Sequence, residues 1–187
     1  MSRIDESRAF LPVNIALLTV SDSRTPATDG SGDLLAARIA TAGHTMAQRK
    51  IVRDDVDAIV TALRAWIAEP DVDVVIATGG TGVTGRDVTP EAVRTVMDKE
   101  IPGFGELFRW LSYGKIGTST VQSRAMAAVA HSTYLFAVPG SPSACKDAWD
   151  DILVHQLDYR YRPCNFVEIM PRLDEHLRRP KAQGATV

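Results

Sequence analysis

Cysteine is nearly missing from this chain. Cys145 and Cys164 are too few for a disulfide framework and lack the spacing of metal ligands. They read as small, semi-buried residues of a reducing compartment. The histidines His44, His131, His155 and His176 show no i,i+4 or Cys-linked pattern, which removes the usual zinc motifs. No apolar run approaches the ~20 residues that a membrane span needs. Met1 to Arg8 has no apolar stretch of the kind a secretory signal carries. Positive charge is in short supply as well. Twenty-one Lys and Arg against 23 Asp and Glu leave a net charge of −2, so there is no basic footprint for nucleic acid. Arg172, Arg178, Arg179 and Lys181 gather near the C-terminus, where they read as a solvated tail. Aromatics make up 6% of the chain, and Trp66, Trp110 and Trp149 are scattered, which fits core or subunit contacts better than base stacking. The expectation is a cytoplasmic protein with neither nucleic acid nor membrane as partner.

What is present is enough for one core. The chain has 187 residues, 45% of them hydrophobic, the length of a single domain. Strand-like and helix-like segments alternate. Val13 to Val20 reads as a buried strand, Leu34 to Ala42 as a helix capped by Ser31 or Asp33 and ended by Gly43. Thr45 to Val52 reads weakly as a second strand. Val56 to Ala68 is helical, with Ile59, Leu63, Trp66 and Ile67 on one face. Val72 to Ala77 has the β-branched character of a buried parallel strand. Pro90 to Lys99, Glu106 to Ser112 and Val121 to Ala130 read as amphipathic segments, Thr133 to Val138 as a strand and Ala144 to Leu157 as a closing helix. This alternation implies an α/β fold of three layers, αβα, around a mostly parallel sheet. Residues 1–12 are read as an N-terminal extension, 13–173 as the domain and 174–187 as a tail. Ligands of such sheets sit beyond the carboxyl ends of the strands, and each polar loop of interest here follows a strand.

The richest of these loops is Thr78-Gly79-Gly80-Thr81-Gly82-Val83-Thr84-Gly85-Arg86-Asp87-Val88-Thr89-Pro90-Glu91-Ala92. Its glycines let the backbone approach a ligand and turn N–H groups towards an anion. Thr89 and Pro90 suit a helix N-cap and first position. Asp87, between loop and helix, is a carboxylate able to hold a metal, or to pair with Arg86. No Gly-Lys-Ser/Thr follows and Gly-x-Gly-x-x-Gly is missing, so neither a Walker loop nor a dinucleotide fingerprint is present. Asp54 precedes the second helix, and from spacing alone it caps that helix, with Asp55 able to share the task.

Taken whole, TGGTG followed by RDVTPEA resembles the signature of the molybdopterin-binding family that includes MogA and MoaB. Ile101-Pro102-Gly103-Phe104-Gly105-Glu106, Ser123-Arg124-Ala125 and Pro139-Gly140-Ser141-Pro142 extend the resemblance. Arg162-Pro163-Cys164-Asn165-Phe166 is more like MoaB. The resemblance implies molybdopterin and MgATP as ligands, and adenylylation of the pterin with release of pyrophosphate. It makes Asp54 and Asp87 the catalytic pair holding Mg²⁺ and positioning ATP. Thr78, Gly79, Gly80, Thr81 and Gly82 would cradle the pterin or its phosphate, and Gly140 and Ser141 would complete the rim. Ser21, Asp22, Ser119 and Ser123 are further substrate-binding candidates. It also implies homo-oligomers, trimers or hexamers, and contact with other molybdenum-cofactor assembly proteins. The alternative is a non-catalytic molybdopterin-binding or assembly protein. Phe104, Phe108, Trp110 and Leu111 form an apolar cluster suited either to a subunit contact or to the core.

Overall fold

The computed structural model describes residues 3–178, without the side chain of Arg178. Arg179, Lys181 and most of the expected tail lie outside the described residues. Six strands form one sheet in the order β2-β1-β3-β6-β5-β4. These are β1 (Asn14–Val20), β2 (Thr45–Val52), β3 (Val74–Thr78), β4 (Lys99–Glu100), β5 (Met126–Ala130) and β6 (Thr133–Val138). The pairs β1–β2, β1–β3 and β3–β6 are parallel. The far edge is antiparallel, β5 against β6 and the two-residue β4 against β5. The helices that cover the sheet are α1 (Gly30–Thr41), α2 (Val56–Ile67), α3 (Thr89–Val96), α4 (Pro102–Ile116) and α5 (Pro142–Ala148), the last continued by a π-helical turn to Leu153.

The alternation of side chains along each strand separates two cores. Ile15 and Leu17, Val74 and Ile76, and Tyr134 and Phe136 point into the layer of α1, α4 and α5. Ala16 and Leu18, Val75 and Ala77, and Leu135 and Ala137 point into the layer of α2 and α3. Two helical layers therefore sandwich the sheet and make three layers in all, as the alternation of elements in the sequence implies. The chain leaves β1 for one edge and returns past it to β3, so the loops after β1 and β3 diverge to opposite faces. That divergence opens a crevice at the carboxyl ends of the strands.

Several sequence expectations change. Val121 to Ala130 is not a helix: its second half is β5. Met126-Ala-Ala-Val-Ala130 is rich in a strong helix former, but burial on both faces overrides propensity. The α3 helix stops at Val96, and Lys99–Glu100 turns into β4. The apolar cluster of α4 divides. Phe104 and Phe108 are core residues and Leu111 packs against that core, whereas Trp110 is 71% exposed. Residues 3–12, read from the sequence as an extension, run along segment 159–168. Asp5 N–H donates to the Arg160 carbonyl at 2.9 Å, and the Arg8 guanidinium lies 3.6 Å from the centre of the Tyr159 ring.

The small residues of β5 let α4 approach closely. A Cβ at Gly105 would stand inside van der Waals contact of the Ala125 carbonyl. Gly105→Ala is expected to cost about 1–3 kcal/mol through overpacking, a fall in Tm of roughly 2–4 °C per kcal/mol for a domain of this size. A scanning melt decides this, since helix propensity alone would push the midpoint the other way by up to ~1 kcal/mol. A raised midpoint would show that the helix has room to move.

Candidate functional site

The crevice is a cleft of about 370 Å³ built from strand-end loops. Thr78 ends β3, and Gly79 and Gly80 take positive φ of 104° and 63°, a left-handed course that only glycine follows at low cost. Thr89, at the start of α3, holds this turn from below. Its hydroxyl donates to the Gly79 carbonyl at 2.7 Å and its N–H to the Gly80 carbonyl at 3.0 Å. Thr89 is thus a brace for the loop, while Val88 occupies the cap position of α3 without a side-chain bond. The Gly79 N–H is taken by the Val138 carbonyl at 3.0 Å. In the loop from Thr78 to Gly82, the N–H groups of Gly80 and Thr81 have no acceptor among the described residues, and that of Gly82 faces the Asp87 carboxylate.

Two carboxylates lean on this loop. A Cβ on Gly80 would stand 3.4 Å from Asp54 Oδ1, and one on Gly82 would stand 2.8 Å from Asp87 Oδ2. The absence of a side chain at Gly82 is what admits Asp87, whereas a Cβ at Gly80 would meet Asp54 only at ordinary contact distance. Asp55, not Asp54, caps α2 by accepting the Ala58 N–H at 2.8 Å. Asp54 is thereby free to face the cleft, where it accepts the Asp22 N–H at 2.9 Å. Burial, and then the charge of Asp87, raise the Asp54 pKa. Asp87 behaves oppositely. Burial works to raise it, but hydrogen bonds from the Thr84 hydroxyl (2.7 Å) and N–H (2.9 Å), with the Arg124 charge, hold it below the ordinary value. One acid is thus held below the ordinary carboxylate value and the other above it, in part by the like charge of the first, and a cation beside the pair would relieve that repulsion. Arg86 does not pair with Asp87; it reaches Asp22.

Of the residues singled out in the sequence, Ser21, Asp54, Asp87, Gly140 and the loop from Thr78 to Gly82 line this cleft. Ser21 is partly committed, since its hydroxyl oxygen accepts the Ser23 and Arg24 N–H groups at 3.2 Å. Thr78 turns its hydroxyl beneath the loop to the Pro139 carbonyl at 3.1 Å, beside Cys145. Ser119, Ser123 and Ser141 belong instead to an adjoining cavity of about 250 Å³, walled by Phe108, Ile116 and Pro139. Ser141 also caps α5. Asp22 lies in neither cavity; it lines a separate groove with Arg24 and Lys50. The two cavities share Thr81, Gly82 and Pro139.

Asp29 is a cleft residue that the sequence did not single out. It is 1% exposed, caps α1 through the Gly32 N–H, accepts from the Thr19 hydroxyl at 2.7 Å and pairs with Arg49 at 2.7 Å. The signal was its place before Gly30-Ser31-Gly32, where Ser31 and Asp33 stood as rival caps.

Gly80→Val should abolish ligand binding, with a cause that the geometry specifies. A Cβ there meets Thr89 Oγ1 at 2.5 Å, and a β-branched residue at φ 63° is strained besides. The brace fails before any ligand is touched, so affinity and melting temperature should fall together. Lost affinity with an unchanged melt would place the new side chain in the ligand's path instead.

Fold and cleft define a doubly wound α/β protein whose switch point carries a glycine loop and an acidic pair. The model of the family described as "Probable molybdopterin binding domain" matches residues 16–159, and the chain belongs to that family. It is 51% identical over 160 residues to molybdenum cofactor biosynthesis protein B of Escherichia coli strain K12, covering 86% of this chain and 94% of that protein. A crystal structure of a molybdenum cofactor biosynthesis protein B superposes with a TM-score of 0.81 at 40% identity, covering 90% of this chain and 99% of the other. The tungsten cofactor synthesizing protein MoaB from Pyrococcus furiosus gives 0.71 at 32% identity, covering 87% and 98%.

Proposed function

We propose that this protein serves molybdenum cofactor biosynthesis by adenylylating molybdopterin. A terminal phosphate oxygen of the pterin attacks the α-phosphorus of ATP. A new P–O bond forms, the bond to the bridging oxygen of the β-phosphate breaks, and pyrophosphate leaves with that electron pair. The observation that supports this reading is the double cavity, with a polar, acid-bearing compartment against a more apolar one across a shared wall at Thr81 and Gly82. Such a pair suits two ligands that must meet at phosphate. The triphosphate fits beside Asp54 and Asp87, and the pterin fits against Phe108, Pro139 and the serine hydroxyls.

The donor set fits Mg²⁺. Among the described residues there is no cluster of three or more acidic, His or Cys side chains that could hold a metal. A pair of carboxylates therefore suits a cation that takes its remaining ligands from substrate phosphates and water. When bound, Mg²⁺ supplies charge neutralisation on the phosphates. The chain's own contribution is alignment: Asp54 and Asp87 fix where the triphosphate lies, and the N–H groups of Gly80 and Thr81 face its oxygens. The attacking oxygen is already ionised near neutral pH, so a general base is not required. Magnesium-dependent pyrophosphate release from ATP on addition of molybdopterin is the expected result. Tight pterin binding without release would instead establish a non-catalytic pterin carrier, and absence of both would remove this reading.

Self-association belongs to the same proposal. Leu107, Trp110 and Tyr113 recur every third residue along α4 and remain exposed, with Ile116 and Val121 beyond them. A stripe of this kind suits a second copy of the chain. The family resemblance makes the assembly a trimer, or a hexamer of two trimers.

A further inference from the structure

We propose that Arg124 is the positioning residue of the acidic pair, a clasp that fixes Asp87 by closing both ends of the loop from Gly82 to Asp87. Arg124 precedes β5, on the antiparallel side of the sheet, yet three of its groups converge on the glycine loop. Its N–H donates to the Thr81 carbonyl at 2.9 Å, its Nε to the Gly82 carbonyl at 2.6 Å and its Nη2 to the Asp87 carbonyl. The remaining arm, Nη1, pairs with Glu91 on α3. The segment that carries Arg124 is itself held. Arg109 of α4 donates to the Ala125 carbonyl at 3.0 Å and to the Ser123 carbonyl at 3.4 Å.

An ordinary surface ion pair contributes ~0–1 kcal/mol and positions nothing. Here the guanidinium satisfies two carbonyls five residues apart in sequence, which only its rigid fork can do; an ammonium would reach one of them. The loop between those carbonyls is exposed from Val83 to Arg86 and has little packing to hold its shape. Its inner bonds, from Thr84 to the Asp87 carboxylate, set the rotamer of Asp87 but not the position of the loop against Asp54. The Arg86–Asp22 pair ties only the exposed tip of the loop, and Arg124 sets the separation at its two ends. It touches no reacting atom and acts through Asp87.

The inference rests on the reading that the acids hold a divalent cation with the triphosphate. Its test is Mn²⁺ affinity in the presence of α,β-methylene-ATP, measured by electron paramagnetic resonance on Asp87→Asn, Arg124→Lys and Glu91→Ala. Amide exchange at residues 82–87 is followed in parallel. Arg124→Lys keeps the charge and the stem, so its melting temperature should stay near wild type. Its Mn²⁺ affinity should fall by roughly tenfold or more, the scale lost when a residue that orients a metal ligand is changed. Exchange should quicken at 82–87 alone, and Glu91→Ala should show a weaker form of both effects. Wild-type affinity and loop protection in Arg124→Lys would overturn the clasp. Unchanged Mn²⁺ affinity in Asp87→Asn would sink the metal reading instead, and the loop exchange in Arg124→Lys would still decide the clasp.

Discussion

Asp87→Asn is expected to keep the fold and to lower adenylyl transfer by at least ~10²-fold, the scale lost with one preorganised electrostatic contact. The amide oxygen can still accept from Thr84, so the loop keeps its inner bonds while the charge disappears. Asp54→Asn should lose activity on the same scale while pterin affinity stays near wild type, because Asp54 lines only the polar cavity. Single-turnover pyrophosphate release measures both, and near wild-type rates in both variants would remove the pair from the reaction. Without metal, Asp54→Asn should also gain stability. A folded-state pKa above the unfolded value means that ionisation favours the unfolded chain, so stability is lost as pH rises through the folded value. The variant should therefore melt above wild type near neutral pH, and the two should converge as pH falls into the ordinary carboxylate range. Wild type melting higher at neutral pH would show that Asp54 is well paired in the free protein.

Trp110→Glu should dissociate the assembly. Trp110 is 71% exposed in the single chain, between Leu107 and Tyr113 on the α4 stripe. Enclosing a carboxylate in a dry contact costs several kcal/mol, enough to lower association by orders of magnitude. The monomer should still fold, since this side chain supports no internal core. Light scattering at micromolar protein gives the answer. A monodisperse wild-type monomer would refute self-association, and an intact Trp110→Glu oligomer would move the contact elsewhere.

The centre of the sheet, β1, β3 and β6, was legible because its strands are short, apolar and buried on both faces, and because each ends at a polar turn; the exposed edge strand β2 read only weakly. The glycine loop was legible for the same reason. The antiparallel edge was not. Alanine-rich β5 carries a helical preference, and the two-residue β4 has no periodicity to detect; both are set by what packs on them. At the site, Asp54 and Asp55 are equivalent caps in sequence, and only the fold shows that Asp55 takes the cap and leaves Asp54 to the cleft. Asp29 was hidden among neighbours of equal capping power. Arg124 could be found as a motif residue, but its hold on Gly82 and Asp87 crosses some 40 positions of chain and has no local signature.

The α4 helix has two employments. Phe108, Ser112 and Ile116 wall the second cavity, while Leu107, Trp110 and Tyr113 stay exposed on the adjacent face, the surface proposed for a second copy. Ile116 is 57% exposed and serves both. If a second subunit docks there and stiffens this wall, pterin affinity follows mass action: the apparent dissociation constant measured at nanomolar protein should exceed the one measured at micromolar protein. Ligand should in turn drive assembly by the same factor, because the coupling is reciprocal. Dilution would then work as an inhibitor, and the protein's abundance would set how tightly it holds its ligand.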